Sequence, residues 1–292
     1  MSSSSSKPDA APVARYYASG AEAERLERGV AQLEAVRTRQ LLARELPPAP
    51  ATVVDVGGGT GVHALWLAEQ GYVVHLLDPV PELIAVAHAR SATASRPLAT
   101  AQVGDARALP YPDASADALL LLGPLYHLTE PGERAAALAE ARRVLRPNGV
   151  VFAAAITRWA GALYGLTRGL YAQPGFEALV QHTLESGQNR NPAGLPGGFT
   201  TAFFHRPEEL ASEVALAGFA NVTLHGLEGP ASLLPDFEAC WRDPEQRRTI
   251  ERLADTLGQE PSLLGVSAHL LAIAYVPAAV GAPEQPGRSV TR

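Results

Sequence analysis

Val53-Val54-Asp55-Val56-Gly57-Gly58-Gly59-Thr60-Gly61 joins two hydrophobic rhythms early in a chain of 292 residues. Thr52 to Val56 is a short β-rich run, whereas the spacing from Val62 to Gln70 is helical, with Gly71 as its C-terminal cap. The glycines therefore lie between a strand and a helix, the setting in which such a loop can cradle a ligand. Lacking Cβ, glycine reaches positive φ and lets a ligand lie against the backbone, while the helix start offers unpaired amides that suit a carboxylate. A ligand-free turn would use the same residues. A dinucleotide site fits less well, because Gly57-x-Gly59-x-Gly61 lacks the three-residue separation that sets a pyrophosphate over a helix.

Downstream the pattern alternates. Strands are expected over Tyr72 to Leu77, Leu98 to Val103, Asp117 to Leu122 and Val150 to Ile156, with helices over Pro79 to Ala92 and Pro131 to Leu145. This order predicts parallel strands joined by right-handed crossovers, with the third and fourth strands covered on both faces. Upstream, Leu26, Val30, Leu33, Val36 and Leu41 predict a leading helix within Ala21 to Leu46, stopped by Pro47-Pro48. Residues 157–206 break the rhythm with Gly, Pro and aromatics around two helices, Ala162 to Leu170 and Phe176 to Ser186, and read as an inserted helical cap. The core resumes over 207–276 with a helix to Ala217, a strand over Ala220 to Leu227, a helical insertion over Pro235 to Leu257 and a last strand over Ser267 to Val276. Residues 1–20 and 277–292 read as flexible ends.

Composition narrows the function classes. Apolar residues make up 47% and charged residues 18%, as in a folded globular protein, and a formal charge of -6 argues against general attraction to nucleic acid or an anionic membrane. Cys240 stands alone, so neither an intrachain disulfide nor a thiolate zinc site is expected. The Ser-rich start has no apolar signal region and no stretch is long enough to span a membrane, which predicts a cytoplasmic protein.

Asp78 ends the second strand, at the place from which an acid accepts hydrogen bonds from a ribose diol, although it could equally cap the following helix. Asp105 follows the third strand, where its carboxylate could accept an adenine amino group while the Ala106 amide reaches a ring nitrogen; an ordinary turn is the alternative. With Val144-Leu145-Arg146-Pro147-Asn148-Gly149 before the fifth strand, these motifs in this order resemble those of class I S-adenosylmethionine-dependent methyltransferases, closely over residues 21–156. The resemblance implies an α/β fold: a seven-stranded, mostly parallel, doubly wound sheet with its last strand antiparallel, here carrying the cap. It implies that Asp78 holds the ribose and Asp105 the adenine of S-adenosylmethionine, within a cofactor set of Asp55, Gly57, Gly58, Gly59, Gly61, Asp78, Pro79, Asp105, Ala106 and Leu122. Asp55 stands where many members carry Glu. Tyr17, with Tyr16, could fold over the cofactor as a lid, or pack against the sheet edge.

Gly123-Pro124-Leu125-Tyr126-His127-Leu128 resembles the bacterial small-molecule and ubiquinone-methylase-like members, of secondary metabolism among others, and not the DNA amino-methyltransferases, which carry Asn/Asp-Pro-Pro-aromatic there. Methyl transfer to an O, N or C nucleophile is therefore expected, yielding S-adenosylhomocysteine. The same fold also houses cofactor-retaining cyclases, decarboxylases and rearrangement enzymes, and a cofactor-sensing protein is a third reading. Tyr126 and His127 are the catalytic candidates, His127 as a general base; local packing is the alternative. In the cap, Arg158, Arg168, Arg190, His182 and His205 hint at an anionic acceptor, and Trp159, Tyr164, Tyr171, Phe176, Phe199, Phe203 and Phe204 at an aromatic pocket. His63, His75, His88, His225 and His269 have no i, i+4 partner or neighbouring carboxylate cluster, so they read as structural or surface residues, with no metal site. The leading helix and cap could exchange between subunits, which allows a homodimer.

Overall fold

The computed structural model describes residues 25–191, 195 and 199–278. Tyr16, Tyr17 and the C-terminal residues 279–292 lie outside them. Strands β1 (Thr52–Val56), β2 (Val73–Asp78), β3 (Thr100–Val103), β4 (Ala116–Leu121) and β5 (Leu145–Thr157) pair in parallel in the order β3-β2-β1-β4-β5. Short β6 (Gln188–Asn189) and β7 (Ala202–His205) follow, then β8 (Ala220–Gly226) and β9 (His269–Tyr275). β9 runs antiparallel to both β5 and β8, so the sheet continues β5-β9-β8 and carries the expected antiparallel final strand.

Odd and even positions of the strands feed two separate cores, as the two-residue side-chain period requires. On one face Val54, Leu119, Leu121, Val151 and Ala153 pack against helices α5 (Pro131–Val144) and α8 (Pro207–Leu216). On the other, Val53, Ala118, Leu120 and Phe152 pack against α1 (Ala31–Glu45), α2 (Val62–Glu69) and α3 (Pro81–Thr93). The remaining helices are α4 (Pro124–His127), α6 (Ala160–Thr167), α7 (Phe176–Ser186), α9 (Phe237–Arg242) and α10 (Pro244–Leu257).

Four expectations need correction. β3 is an edge of the sheet among the described residues and not a covered strand: Val103 is 53% exposed, and no described strand pairs with the side away from β2. The leading helix begins at Ala31, since Gly29 adopts a φ of 56° and a short 3-10 turn at Arg25–Glu27 precedes it. The second helix begins at Pro81, because the Asp78 carboxylate accepts the Val80 N–H and holds the chain extended there. Finally, residues 157–206 are not wholly apart from the sheet. β4 stops opposite Ala153, and β7 pairs in parallel with Ile156 and Thr157 on the edge of β5 that this leaves free. The buried run Ala202-Phe203-Phe204-His205 thereby finds backbone partners.

Candidate functional site

In open parallel sheets, ligands bind beyond the carboxyl ends of the strands where the order reverses, here between β1 and β4. The glycine loop lies there. Gly57, Gly59 and Gly61 have φ of 72°, 56° and 83°. A Cβ on Gly57 would lie 2.8 Å from Pro124 Cδ, and one on Gly58 2.6 Å from Asp55 Oδ2, so both glycines are fixed by close packing. Gly59 is different: its nearest neighbour would be Leu83 Cδ1 at 4.0 Å, leaving open space over the backbone.

Asp78 ties the loop down. Its Oδ2 accepts the Gly59 N–H and its Oδ1 the Val80 N–H, both at 2.9 Å, so one carboxylate fastens both the glycine loop and the entry to the following helix. Asp55 is 2% exposed, and its Oδ1 has no hydrogen-bond partner among the described residues. Burial, and then the neighbouring Asp78, raise its pKa to about 7. Such a carboxylate calls for a donor from a ligand.

A cavity of about 830 Å³ starts at this cradle and runs across the sheet rim to α4. Asp105 borders it, and Arg107 donates its backbone N–H to Oδ1 at 2.8 Å while its guanidinium engages both carboxylate oxygens and reaches on to Glu133. The Arg107 hydrogen bonds hold the Asp105 carboxyl below its usual range, so it stays an acceptor. Ala106 is buried beside it. At the far end the Tyr126 hydroxyl donates to Leu122 O at 3.3 Å, and the His127 ring stacks on Phe199 at 6.0 Å. Burial lowers the His127 pKa to about 4 against a hydrogen bond with the Thr201 backbone, so the ring is neutral.

A second polar group reaches the same cavity through Glu34 and His269, with Glu228 behind them. Glu228, 1% exposed, accepts from His269 Nδ1 at 2.5 Å and from the His269 N–H at 3.0 Å. Glu34 lies 3.5 Å from the same Nδ1 and is held by Arg25.

Residues 53–149 match the family model described as a methyltransferase domain. Demethylmenaquinone methyltransferase of Deinococcus radiodurans is 33% identical over 186 residues, 62% of this chain and 73% of that protein. The chain belongs to the class I S-adenosylmethionine-dependent methyltransferases. An uncharacterized methyltransferase of Mycobacterium tuberculosis is 38% identical over 104 residues, 36% of this chain; the match spans only 39% of that relative. A Methanosarcina mazei SAM-dependent methyltransferase structure shares the fold, with a TM-score of 0.54 at 20% identity over 82% of this chain and 98% of that one. S-adenosylmethionine is the cofactor of this family, and the cradle suits it: amides at a helix start, open space over Gly59, and an unpartnered buried acceptor at Asp55.

In this family member the structure gathers Asp55, Gly57, Gly58, Gly59, Asp78, Pro79, Asp105, Ala106, Leu122, Tyr126 and His127 around the one cavity. Gly61 is the N-cap of α2, just behind it. Tyr17 lies outside the described residues. The cap cations divide. Arg158 is 3% exposed and bound to Glu209 and Phe204 O, and His205 is fully buried against Glu213; both hold elements together. Arg168 lies over Tyr164 on the outside, and the His182 ring stands beside Ser186. Of the five, Arg190 alone lines the cavity.

The aromatic pocket expected of the cap is not built as such. Tyr164 and Tyr171 are exposed, Phe203 is covered by the Arg134 guanidinium at 3.8 Å, and Phe176 packs on Gly165. The sequence reading missed the Glu34–Glu228–His269 group, whose members come from three distant segments with no local spacing to betray them. Among the described residues these are the side chains whose ligand-type atoms cluster within 4.8 Å. Arg25 already balances one of the two carboxylates and an imidazolium would balance the other, which leaves little attraction for a cation.

Proposed function

We propose that this protein transfers the methyl group of S-adenosylmethionine to a small anionic, ring-bearing acceptor bound between the end of β4 and the 157–206 segment, which serves as its cap. The observation that carries the reading is the continuity of one cavity from the Gly59 cradle to Tyr126, His127 and Arg190. When bound, the cofactor supplies a methyl carbon already activated by positive sulfur. The chain's contribution is position and dryness. Asp78 would hold the ribose hydroxyls with the acceptor capacity its two backbone hydrogen bonds leave over. Asp105 and the Ala106 amide would take the adenine, the loop amides the methionine carboxylate, and Asp55 a donor of the same moiety. Leu122 and Ala154 line the route between the two halves and exclude water.

At the acceptor end, Arg190 has no ion pair or hydrogen bond among the described residues, so its guanidinium is available for an anionic group. Neutral His127 can orient an acceptor by a hydrogen bond, but a base with a pKa of about 4 takes up protons weakly at neutral pH. The Deinococcus radiodurans relative is named for demethylmenaquinone, which supports a quinone-type ring.

Calorimetry with S-adenosylmethionine tests the cofactor half. Asp78→Ala should weaken binding by about tenfold or more, the worth of a hydrogen bond to a charged group. Unchanged affinity in that variant refutes the assignment. A methyl-labelled cofactor offered with cell extract then tests transfer, with Arg190→Ala expected to raise KM for an anionic acceptor and leave cofactor affinity alone.

A further inference from the structure

The cavity also contains a histidine, His269, at a place that no sequence motif marks. His269 opens β9 and Glu228 follows β8, and they meet at the rim of the sheet. Glu228 is fixed from several directions. Its Oε2 accepts the His269 N–H at 3.0 Å and lies 2.8 Å from the Ser267 hydroxyl, which itself accepts the N–H groups of Glu228 and Gly229 at 3.1 Å. Oε1 is left for His269 Nδ1 at 2.5 Å. A carboxylate held this firmly fixes both the tautomer and the tilt of the ring, and leaves Nε2 as the nitrogen available to the cavity that His269 lines.

The charges around the ring favour proton uptake. Glu34 faces it from α1, Glu228 from the end of β8, and Arg25 from the turn before α1. His63 of α2 stands near Glu34 and is kept neutral by burial, its pKa lowered to about 4. With His269 neutral, the group of Arg25, Glu34 and Glu228 carries one net negative charge; with His269 protonated it carries none. Burial opposes the imidazolium, but Glu34 and Glu228 outweigh it and raise the His269 pKa above its ordinary value of 6.5.

We propose that His269, oriented through Nδ1 by Glu228, is the residue that takes the proton from the methyl acceptor, and that the acceptor presents a phenol- or enol-type hydroxyl to Nε2. The assignment rests on the methyl-transfer reading above. In the step, the acceptor O–H bond breaks, its electron pair stays on oxygen as the nucleophile, and the proton moves to Nε2. The imidazolium releases that proton to water after the methylated product leaves. Glu228 and Glu34 are positioning residues that act through the ring.

The test uses the full chain as wild type, His269→Gln, Glu228→Gln and Glu34→Gln. The first readout needs no turnover: the His269 ring carbon is titrated by NMR in the S-adenosylhomocysteine complex and assigned by its loss in His269→Gln. Wild type should titrate above 6.5, and either carboxylate variant should lower that value by about one unit, a tenfold change in proton affinity. Glu34→Gln keeps the test alive should Glu228→Gln fail to fold. A value that neither variant moves overturns the proposal.

The second readout uses 2-naphthol and the more acidic 4-nitrophenol as probe acceptors. His269→Gln should slow transfer to 2-naphthol by about a hundredfold or more and transfer to ionised 4-nitrophenol far less. The acidic limb of the 2-naphthol rate should move to lower pH in Glu34→Gln. Equal loss on both probes, or no loss on either, overturns the base role. Should wild type turn over neither probe, 2-naphthol must still shift the His269 signal; an unmoved signal overturns the contact. Tight Mg²⁺ or Zn²⁺ binding that disappears in His269→Gln overturns it in favour of a metal centre. Calorimetry separates the two levels: wild type that fails to bind S-adenosylmethionine refutes the methyl-transfer reading, whereas normal binding with an unresponsive His269 refutes only this assignment.

Discussion

Adding one methyl group at Gly58 or at Gly59 should split stability from cofactor affinity. Gly58 is outside the left-handed region, so alanine there causes no backbone strain, but its Cβ would fall 2.6 Å from Asp55 Oδ2 and 2.7 Å from Asp55 Cγ. Asp55 is buried and must move, an overpacking cost of about 1–3 kcal/mol. Gly59 has φ of 56° and no atom nearer than 4.0 Å to the added Cβ. Alanine there meets only the left-handed penalty, about 1–2 kcal/mol, offset in part by a gain of about 0.4–1 kcal/mol from a stiffer unfolded chain. With about 2–4 °C per kcal/mol for domains somewhat smaller than this chain, Gly59→Ala should lower Tm by no more than a few degrees, and Gly58→Ala by as much or more. Affinity should rank the other way. The Gly59 methyl would stand in the open space where the cofactor would lie against the backbone, and a loss of about 1.4 kcal/mol or more, tenfold in Kd, is expected. Thermal unfolding and calorimetry on the two variants measure both quantities. A folded Gly59→Ala protein that binds S-adenosylmethionine within about twofold of wild type would refute the claim that the loop is the cradle.

Asp55 has a folded-state pKa of about 7 against an ordinary 3.8, so the stability it contributes is full below about 4 and is lost as pH rises through 7. Asp55→Asn should therefore gain on wild type in Tm as pH rises from 4 to 8; a constant difference across that range excludes a buried ionisation. Glu213 is the reverse case: burial opposes ionisation, but His205 and Arg134 draw its pKa down to about 2, so its contribution is present above 4.5 and lost as pH falls toward 2. Glu213→Gln should flatten the acid side of the stability profile and, by leaving Arg134 at 2% exposure without its carboxylate, cost about 3–5 kcal/mol at pH 7 by denaturant unfolding. In the 157–206 segment, a Cβ on Gly165 would lie 1.8 Å from Phe176 Cζ. Gly165→Ala should force α6 and α7 apart and speed limited proteolysis within that segment while leaving S-adenosylmethionine affinity within about twofold of wild type.

What could be read from the chain was what is encoded locally. The β1 loop declares itself because its strand, glycines and helix are contiguous, and Asp78 because it ends the next strand. Cations were less legible, since charge alone does not say which way a side chain faces. Arg158 and His205 read as walls of an anion site, yet Arg158 is buried in an ion pair with Glu209 and His205 in a hydrogen bond to Glu213, contacts that anchor β5, β7 and α8. The pattern Ala202-Phe203-Phe204-His205 likewise reads as part of a loop-rich cap, because four residues are too few to show a strand's alternation. Their pairing with Ile156 and Thr157 exists only because β4 is shorter than β5.

His269 was hidden for a topological reason. A reader who knows that parallel sheets bind ligands at strand ends inspects the residues that follow each strand, and that rule finds Asp78, Asp105 and Leu122. β9 runs the other way, and pairing His269 with Ile156 brings its first residue, not its last, to the same rim. β8 keeps the parallel sense and delivers Glu228 just past its end, where Gly226 pairs with Leu270. One antiparallel strand thus turns two residues 41 positions apart into a hydrogen-bonded pair, and α1 lays Glu34 across them. The antiparallel final strand expected from the family resemblance therefore has a chemical consequence. It lets the segments after β8 and before β9 converge on the rim of the same cavity that the ends of the parallel strands line.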